Sequence, residues 1–206
     1  MPGISTPASV NVLDRNGKSI LDNKGPLLIT HWGMSGPVIL KLSAWGALQL
    51  HDLDYQFKIK VNWLPDYSEE KIQKALRNIK KEFNKKSVTG NSQFELPKRL
   101  WKSIVRSTGI PQELIWAELT NLQLKKISEQ LTRSVFEVNG KSTFKEEFVT
   151  AGGIDLQELN FRRFESKLHK NLFFAGEVLD IDALTGGFNF QNAWNGGYIV
   201  AKSITE

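Results

Sequence analysis

Hydrophobic residues along this chain alternate between two periods, and the change of period divides it. From Ser9 to Asp14 apolar and polar positions interleave as in a strand, and Asn16-Gly17 predicts a two-residue hairpin turn. Leu27–Thr30 reads as a buried strand, and Gly36-Pro37 as a helix start with Pro at its permitted first position. On that helix Val38, Leu42 and Trp45 share a face, and Gly46 ends or loosens it. Tyr55–Trp63 is the clearest strand: odd positions are apolar and even ones polar, so one face is buried and the other wet. After Pro65 the period lengthens. Ser68-Glu69-Glu70 starts a helix that Ile72, Ala75, Leu76, Ile79 and Phe83 carry to about Lys86. Pro97–Ser107 is a second, stopped by Gly109. Pro111 opens a short one with Leu114, Ile115 and Leu119, and Leu124, Ile127 and Leu131 stripe a last. Strand period returns at Ser134–Val138, and Asn139-Gly140 predicts a hairpin with Thr143–Val149 as its return.

Those shifts set the expected organisation: residues 1–64 and 134–151 form a β-rich, barrel-like subdomain, interrupted by a small helical bundle at 65–133, with 152–206 following. Within the last segment, Leu172–Ala175 reads as a buried strand closed by Gly176. Glu177, Asp180 and Asp182 come next, then Thr185-Gly186-Gly187, then a helix on which Phe190, Trp194, Gly197 and Ala201 share a face. Strand, acidic loop, glycine pair and helix start make an order with chemical content. Glycine lets backbone N–H groups approach a ligand closely, and a helix start favours negative charge. Carboxylates at a strand end can accept hydrogen bonds from ribose or ribityl hydroxyls. A glycine-rich strand–helix connection with solvated acids accounts for the pattern equally well.

Resemblance favours the first account. Phe173–Ala201 resembles the C-terminal FAD-contacting segment of the aminoacetone-oxidase-like or BaiN-like bacterial flavoproteins, with Gly176, Glu177, Leu179, Asp180, Thr185, Gly186, Gly187, Asn189, Gln191, Ala193 and Gly197 in matching positions. Gly25–Pro37, Val149–Ile154 and Glu165-Ser166-Lys167 resemble three further elements of that family in the same order. The resemblance implies an α+β chain: a barrel with a helical lobe, followed by the last strand and helix of an FAD-binding α/β domain. It implies flavin contacts at Gly176, Glu177, Asp180, Thr185, Gly186, Gly187, Phe188, Asn189 and Phe190, with Gly186–Phe190 against the pyrimidine edge of the ring and Glu177 and Asp180 on ribityl or ribose hydroxyls. NAD(P)H is a candidate electron donor. Phe188 stands where the family more often has Tyr, and Ala183-Leu184 where it has Asp-Gly.

Members of that family open with a strand–GxGxxG–helix unit for the FAD pyrophosphate and run to about twice this length. No GxGxxG occurs here. The chain is therefore expected to be the C-terminal part of a flavoprotein, inactive by itself, with Met1-Pro2-Gly3 a secondary start and a dinucleotide-binding segment as its missing partner. Its small-molecule substrate is not indicated.

Composition narrows the chemistry. The 206 residues suffice for a sizeable core, and 40% hydrophobic with 24% charged residues is ordinary for a globular protein. With no cysteine, disulfides and thiolate chemistry are excluded, which suits a cytoplasmic location, and redox work must fall to a bound cofactor. No signal peptide is visible, and polar breaks in Leu27–Leu50 argue against a membrane span. His31, His51 and His169 are too scattered to suggest a metal site. His31 reads as packing at a helix start or as a hydrogen-bonding group toward substrate or flavin; Ser35 lacks the context of a hydrolase nucleophile. The six tryptophans read as core and interface anchors. Net charge is +5, with a pI near 9.3. The surplus lies between Asp66 and Arg133, fourteen Lys/Arg against eight Asp/Glu. No stacking motif accompanies it, so a solvated helix face is expected rather than a nucleic-acid partner. The competing reading makes the basic lobe, with Lys80, Lys81, Lys85 and Lys86, an interaction or nucleic-acid-binding module without redox activity.

Overall fold

The computed structural model describes residues 2–142, 150–183 and 187–205, in two compact units: Met1–Leu42 with Leu53–Gly140, and Ser43–Asp52 with Lys141–Glu206. It is an α+β chain with a curled antiparallel sheet, half of a barrel, as expected. Strands β1 (Ile4–Leu13), β2 (Ser19–Ile29), β3 (Met34–Ser35), β4 (Gln56–Asn62) and β5 (Ser134–Asn139) are ordered β3-β2-β1-β4-β5.

Strand β1 starts five residues earlier than its apolar alternation suggests. Pro7 lies directly opposite Pro26 of β2, beyond the last residue that β4 pairs. A proline cannot donate to a ladder, and this position asks neither ring for a bond. The turn between β1 and β2 is longer than the two residues expected. Asp14 N–H donates to the Lys18 carbonyl, Gly17 N–H to that of Asp14, and Gly17 is left-handed at φ +79°. The Asp14 carboxylate also accepts from the N–H groups of Asn16 and Lys18, and that carboxylate favours the wider loop. Strand β4 alternates as expected, with Ile59, Val61 and Trp63 buried along one face beside Val10 and Val12 of β1. The return strand expected at Thr143–Val149 falls outside the described residues, and with it the hairpin at Asn139-Gly140.

Strands β4 and β5 pair in register from Gln56↔Asn139 to Val61↔Ser134, so the lobe leaves and rejoins the sheet between hydrogen-bonded neighbours. At that neck Trp63 N–H donates to the Leu131 carbonyl, and its indole N–H to Ser134 Oγ at 3.0 Å. The lobe holds α3 (Glu69–Glu82), α4 (Lys98–Ser107) and α5 (Asn121–Arg133), numbered after α1 (Pro37–Trp45) and α2 (Ala47–Asp52). Ser68 caps α3, which ends four residues before Lys86, where Phe83 turns the chain. Thr120 and Gln123 form a reciprocal capping box on α5, a signal that the apolar stripe alone does not reveal. Ile72, Leu76, Leu100, Ile104, Leu124, Ile127 and Leu131 are buried. Trp101 and Trp116 stack at 6.2 Å, and the Trp101 indole donates to the Val88 carbonyl.

The short helix expected after Pro111 is instead a turn, closed by Leu114 N–H to the Pro111 carbonyl, followed by a single 3-10 turn, Trp116–Glu118. Ile115 bridges to Ser87, and Val88 and Trp116 exchange backbone bonds across that bridge with Leu114 and Lys86. These tertiary bonds outweigh a helix too short to nucleate. Helix α1 does begin at Pro37, with Val38 and Leu42 buried, but Trp45 is exposed. Among the described residues no helix is long and apolar enough to cross a membrane.

Candidate functional site

The C-terminal unit has a small core of Leu159, Phe164 and Leu179, against which Ile154, Phe174, Ile199 and Val200 pack. Around it the chain forms β6 (Leu159–Asn160), β7 (Glu165–Ser166) and α6 (Phe188–Thr205). Leu172–Ala175 is not the buried strand its apolar run suggests. Only Phe173 bridges, to Glu165, and Leu172 is exposed. Strand β7 is two residues long, so no further ladder is on offer, and loop bonds from Ser166 N–H to the Leu172 carbonyl and from Phe174 N–H to the Phe164 carbonyl take its place.

Two of the sequence elements singled out above meet here. Gly153, at φ +154°, lies so close to the following loop that a Cβ would come within 2.5 Å of the Leu179 carbonyl carbon and 2.7 Å of Asp180 N. Only glycine fits. Next to it Ile154 and Leu179 form a parallel bridge: Ile154 N–H donates to the Val178 carbonyl and Asp180 N–H to that of Ile154. That contact fixes the acidic loop. Gly176, at φ +86°, opens it; Glu177 and Asp180 are both exposed on it; Leu179 anchors it from below at 1% exposure.

The far end of the loop is fastened to the helix start. Asn189 donates its side-chain amide to the Ala183 carbonyl at 3.2 Å and accepts from Ala183 N–H at 2.8 Å. Gly187, at φ +92°, precedes α6 with open space where a Cβ would stand, and its carbonyl accepts from Gln191 N–H. By helix geometry the N–H groups of Phe188, Asn189 and Phe190 have no acceptor within α6. The result is a backbone donor surface beside two carboxylates, with a side chain, Asn189, spent on holding the two together. Thr185 and Gly186 lie outside the described residues.

Sequence spacing alone did not assign roles to the third element. The Glu165 carboxylate accepts from Asn171 N–H and lies 3.5 Å from Arg163 Nε, and Arg163 in turn donates to the Ser203 carbonyl near the end of α6. Ser166 Oγ accepts from the N–H groups of Leu168 and His169, and Lys167 Nζ donates to the Gln157 carbonyl. These side chains brace the unit. Gly196 lets α6 settle against it, since a Cβ there would meet Phe164 and Ala175 at 3.1 and 3.2 Å.

Helix α6 therefore faces inward through Gly196, Ile199, Val200 and Ser203. The stripe expected on its apolar face lies on the opposite side: Phe190 is 68% exposed and Trp194 70%, with their rings 6.3 Å apart. Of the six tryptophans, Trp63, Trp101 and Trp116 are core anchors, while Trp32, Trp45 and Trp194 are exposed.

The Gly25–Pro37 element belongs to the other unit. It folds back on itself, pairing Leu28 with Ser35, and Gly36 at φ +93° is pressed against Leu28 N and the Pro26 carbonyl. Thr30 Oγ1 accepts from Gly33 N–H, which presents His31 and Trp32 to solvent; His31 does not pack against the start of α1. No cluster of potential metal ligands occurs among the described residues.

Comparison with known proteins agrees with this architecture. Over its whole length the chain is 31% identical to a ribosomal RNA dihydrouridine synthase of Haemophilus influenzae and covers 47% of that protein. It is 29% identical to a ribosomal RNA dihydrouridine synthase of Escherichia coli over 99% of its length, covering 47% of it. To a 3-dehydro-bile acid delta(4,6)-reductase of Clostridium scindens it is 26% identical over 99% of its length, covering 49% of it. It thus spans about half the length of the curated relatives it matches. Residues 1–149 match the family described as HI0933-like protein barrel and H2TH domain, and the chain belongs to that family.

Proposed function

We propose that the chain is the barrel, helical lobe and C-terminal segment of an FAD-dependent oxidoreductase that adds hydrogen across a carbon–carbon double bond conjugated to a carbonyl. The observation that carries this reading is the double anchoring of the acidic loop: Val178–Asp180 is held against Gly153 and Ile154, and Ala183 beyond it is clamped by Asn189 at the start of α6. The residues present suit a flavin. The N–H groups of Phe188, Asn189 and Phe190 would meet the pyrimidine edge, where a helix start favours negative charge. Glu177 and Asp180 would accept from ribityl or ribose hydroxyls, Gly176, Gly186 and Gly187 would keep side-chain bulk away, and Thr185 would offer a hydroxyl beside them. FAD, when bound, supplies the hydride or electron transfer; the protein orients it.

The relatives' names support the reaction class. Making dihydrouridine means saturating the C5–C6 bond of uracil, which is conjugated to its C4 carbonyl. A delta(4,6)-reductase of a 3-dehydro steroid saturates a bond conjugated to the 3-oxo group. Both reactions build negative charge on an oxygen while a carbon accepts hydride. Of the two, reduction of a uridine in RNA is our reading for this chain, because the more similar pair of relatives carries that name. NAD(P)H would serve as electron donor in the cytoplasm. Full binding would require a GxGxxG-bearing dinucleotide segment beyond these 206 residues, packed on the exposed Phe190–Trp194 face of α6. The chain alone would then be inactive.

Flavin retention tests this. The chain is purified alone, and also co-expressed with the N-terminal half of the Haemophilus influenzae relative, each with added FAD, and visible absorption is recorded after gel filtration. Retention by the joined form alone supports the reading. Retention by neither overturns the assignment of residues 171–203.

A further inference from the structure

We propose that a groove on the helical lobe binds the phosphate backbone of RNA, holding the substrate at a distance from the redox chemistry. The groove, about 570 Å³, runs between the C-terminal half of α3 and the start of α5. Arg77, Lys80 and Lys81 of α3 line it together with Asn84 just beyond that helix and with Asn121 and Leu124 of α5. Among the described residues no carboxylate lines it.

The α3 wall is organised by helix geometry. Ile72 and Leu76 are buried, which turns Lys74, Arg77 and Lys81, at i, i+3 and i+7, to the opposite, solvent face. Arg77 and Lys81 lie about 6 Å apart along the axis, close to the separation of neighbouring phosphates on one strand. Lys80 is fixed differently: its ammonium donates to the Leu119 carbonyl, which holds a positive charge beside the groove without a carboxylate to neutralise it.

Two cations elsewhere on the lobe are matched. Arg133 pairs with Glu69 at 3.1 Å and with Glu129 at 3.6 Å, and Lys125 lies 4.0 Å from Glu129. Among the described residues Arg77 and Lys81 form no ion pair, and neither do Lys98 and Lys102 of α4, which lie outside the groove and so carry the same free charge without its concavity. Glu82 and Glu118 adjoin lining residues in sequence, and both are exposed outside the lining. A solvated face needs no concavity, and unmatched cations along a groove that amide side chains also line suit a polyanion whose sugars and bases also offer hydrogen bonds. The choice of RNA among polyanions rests on the uridine-reducing reading above.

The test is fluorescence anisotropy of the full chain, without flavin, against a labelled RNA hairpin with a uridine-rich loop, over a salt series. Arg77→Ala with Lys81→Ala is compared with Lys98→Ala with Lys102→Ala, which removes the same charge from α4 of the same lobe. Thermal melts confirm that each variant is folded. The groove pair is expected to weaken binding at least tenfold and to lower the slope of log affinity against log salt by about 2 relative to the control pair. Equal effects from the two pairs overturn the proposal, as does absence of binding at low salt. Displacement of the RNA by polyglutamate as readily as by unlabelled RNA would assign the groove to acidic protein segments instead and likewise overturn it. Because no flavin is present, a failed flavin-retention experiment leaves this result standing, and the reverse holds too.

Discussion

Helices α5 and α6 carry apolar residues at the same helical spacing, yet one buries its stripe and the other displays it. In α5, Leu124, Ile127 and Leu131 are at most 5% exposed. In α6, Phe190 and Trp194 are about two-thirds exposed, and the helix packs inward through Gly196, Ile199, Val200 and Ser203. Periodicity reports that a helix has an apolar face; it does not report which side the rest of the chain occupies. The lobe contains all the surfaces that α5 needs. The C-terminal unit, with its core of three buried side chains, has surface enough for one side of α6 only. Large apolar patches left open on a soluble protein mark interaction sites.

The comparison can be broken most severely at Gly153. Gly153→Ala drives a Cβ into the Leu179–Asp180 backbone, and we expect it to destabilise the C-terminal unit by about 3 kcal/mol or more. Hydrogen exchange at Ile154 and Asp180 should then accelerate strongly while amides of α5 keep their protection. Gly152→Ala, also at positive φ but with open space around the new methyl, should cost only about 1 kcal/mol.

Truncation on the two stripes should separate next. Ile127→Ala leaves a cavity in the lobe and should cost about 3 kcal/mol in urea denaturation. Trp194→Ala should stay within about 0.5 kcal/mol in the chain alone. If the two losses matched, the outward placement of the α6 stripe would be wrong. In the form co-expressed with the relative's N-terminal half, Trp194→Ala should instead weaken association and flavin retention.

At the neck of the lobe, Ser134→Ala removes the acceptor of the buried Trp63 indole and should cost about 1–2 kcal/mol, read from the same denaturation curves. The smallest effect has the opposite sign. Ser128 on α5 is fully buried and its Oγ has no hydrogen-bond partner among the described residues, so Ser128→Ala should stabilise the chain by up to about 1 kcal/mol.

Much of this fold is legible in the amino-acid pattern, for identifiable reasons. Strand β4 alternates over its whole length because one face is buried and the other wet, and the stripes of α3, α4 and α5 are strong because each faces a single core. The misses have physical causes as well. Strand β1 is partly hidden by Pro7, tolerated where no ladder bond is required; the segment after Pro111 is decided by bonds to Lys86 and Val88, remote in sequence. At the candidate site, the glycines and acids announce a tight loop at a helix start. The Asn189 clamp and the approach of Gly153 to residues 178–180 do not show in spacing, since both depend on where distant backbone arrives.

The pairing of β4 with β5 bears on the order in which the chain assembles. Val61 and Ser134 are neighbours in the sheet, with the entire lobe between them in sequence. Were that stretch unstructured, bringing its ends together would cost about 4 kcal/mol of chain entropy before the first ladder bond formed. Once α3 and α5 have packed, Trp63 and Leu131 are already within hydrogen-bond distance, at 2.9 Å, and β5 emerges beside its partner. On this account β5 should join the half-barrel late, at a rate set by the helices and not by the strands. Substitutions in the buried face of α5 should accordingly slow closure of the sheet, while those within β5 itself should mainly hasten its release.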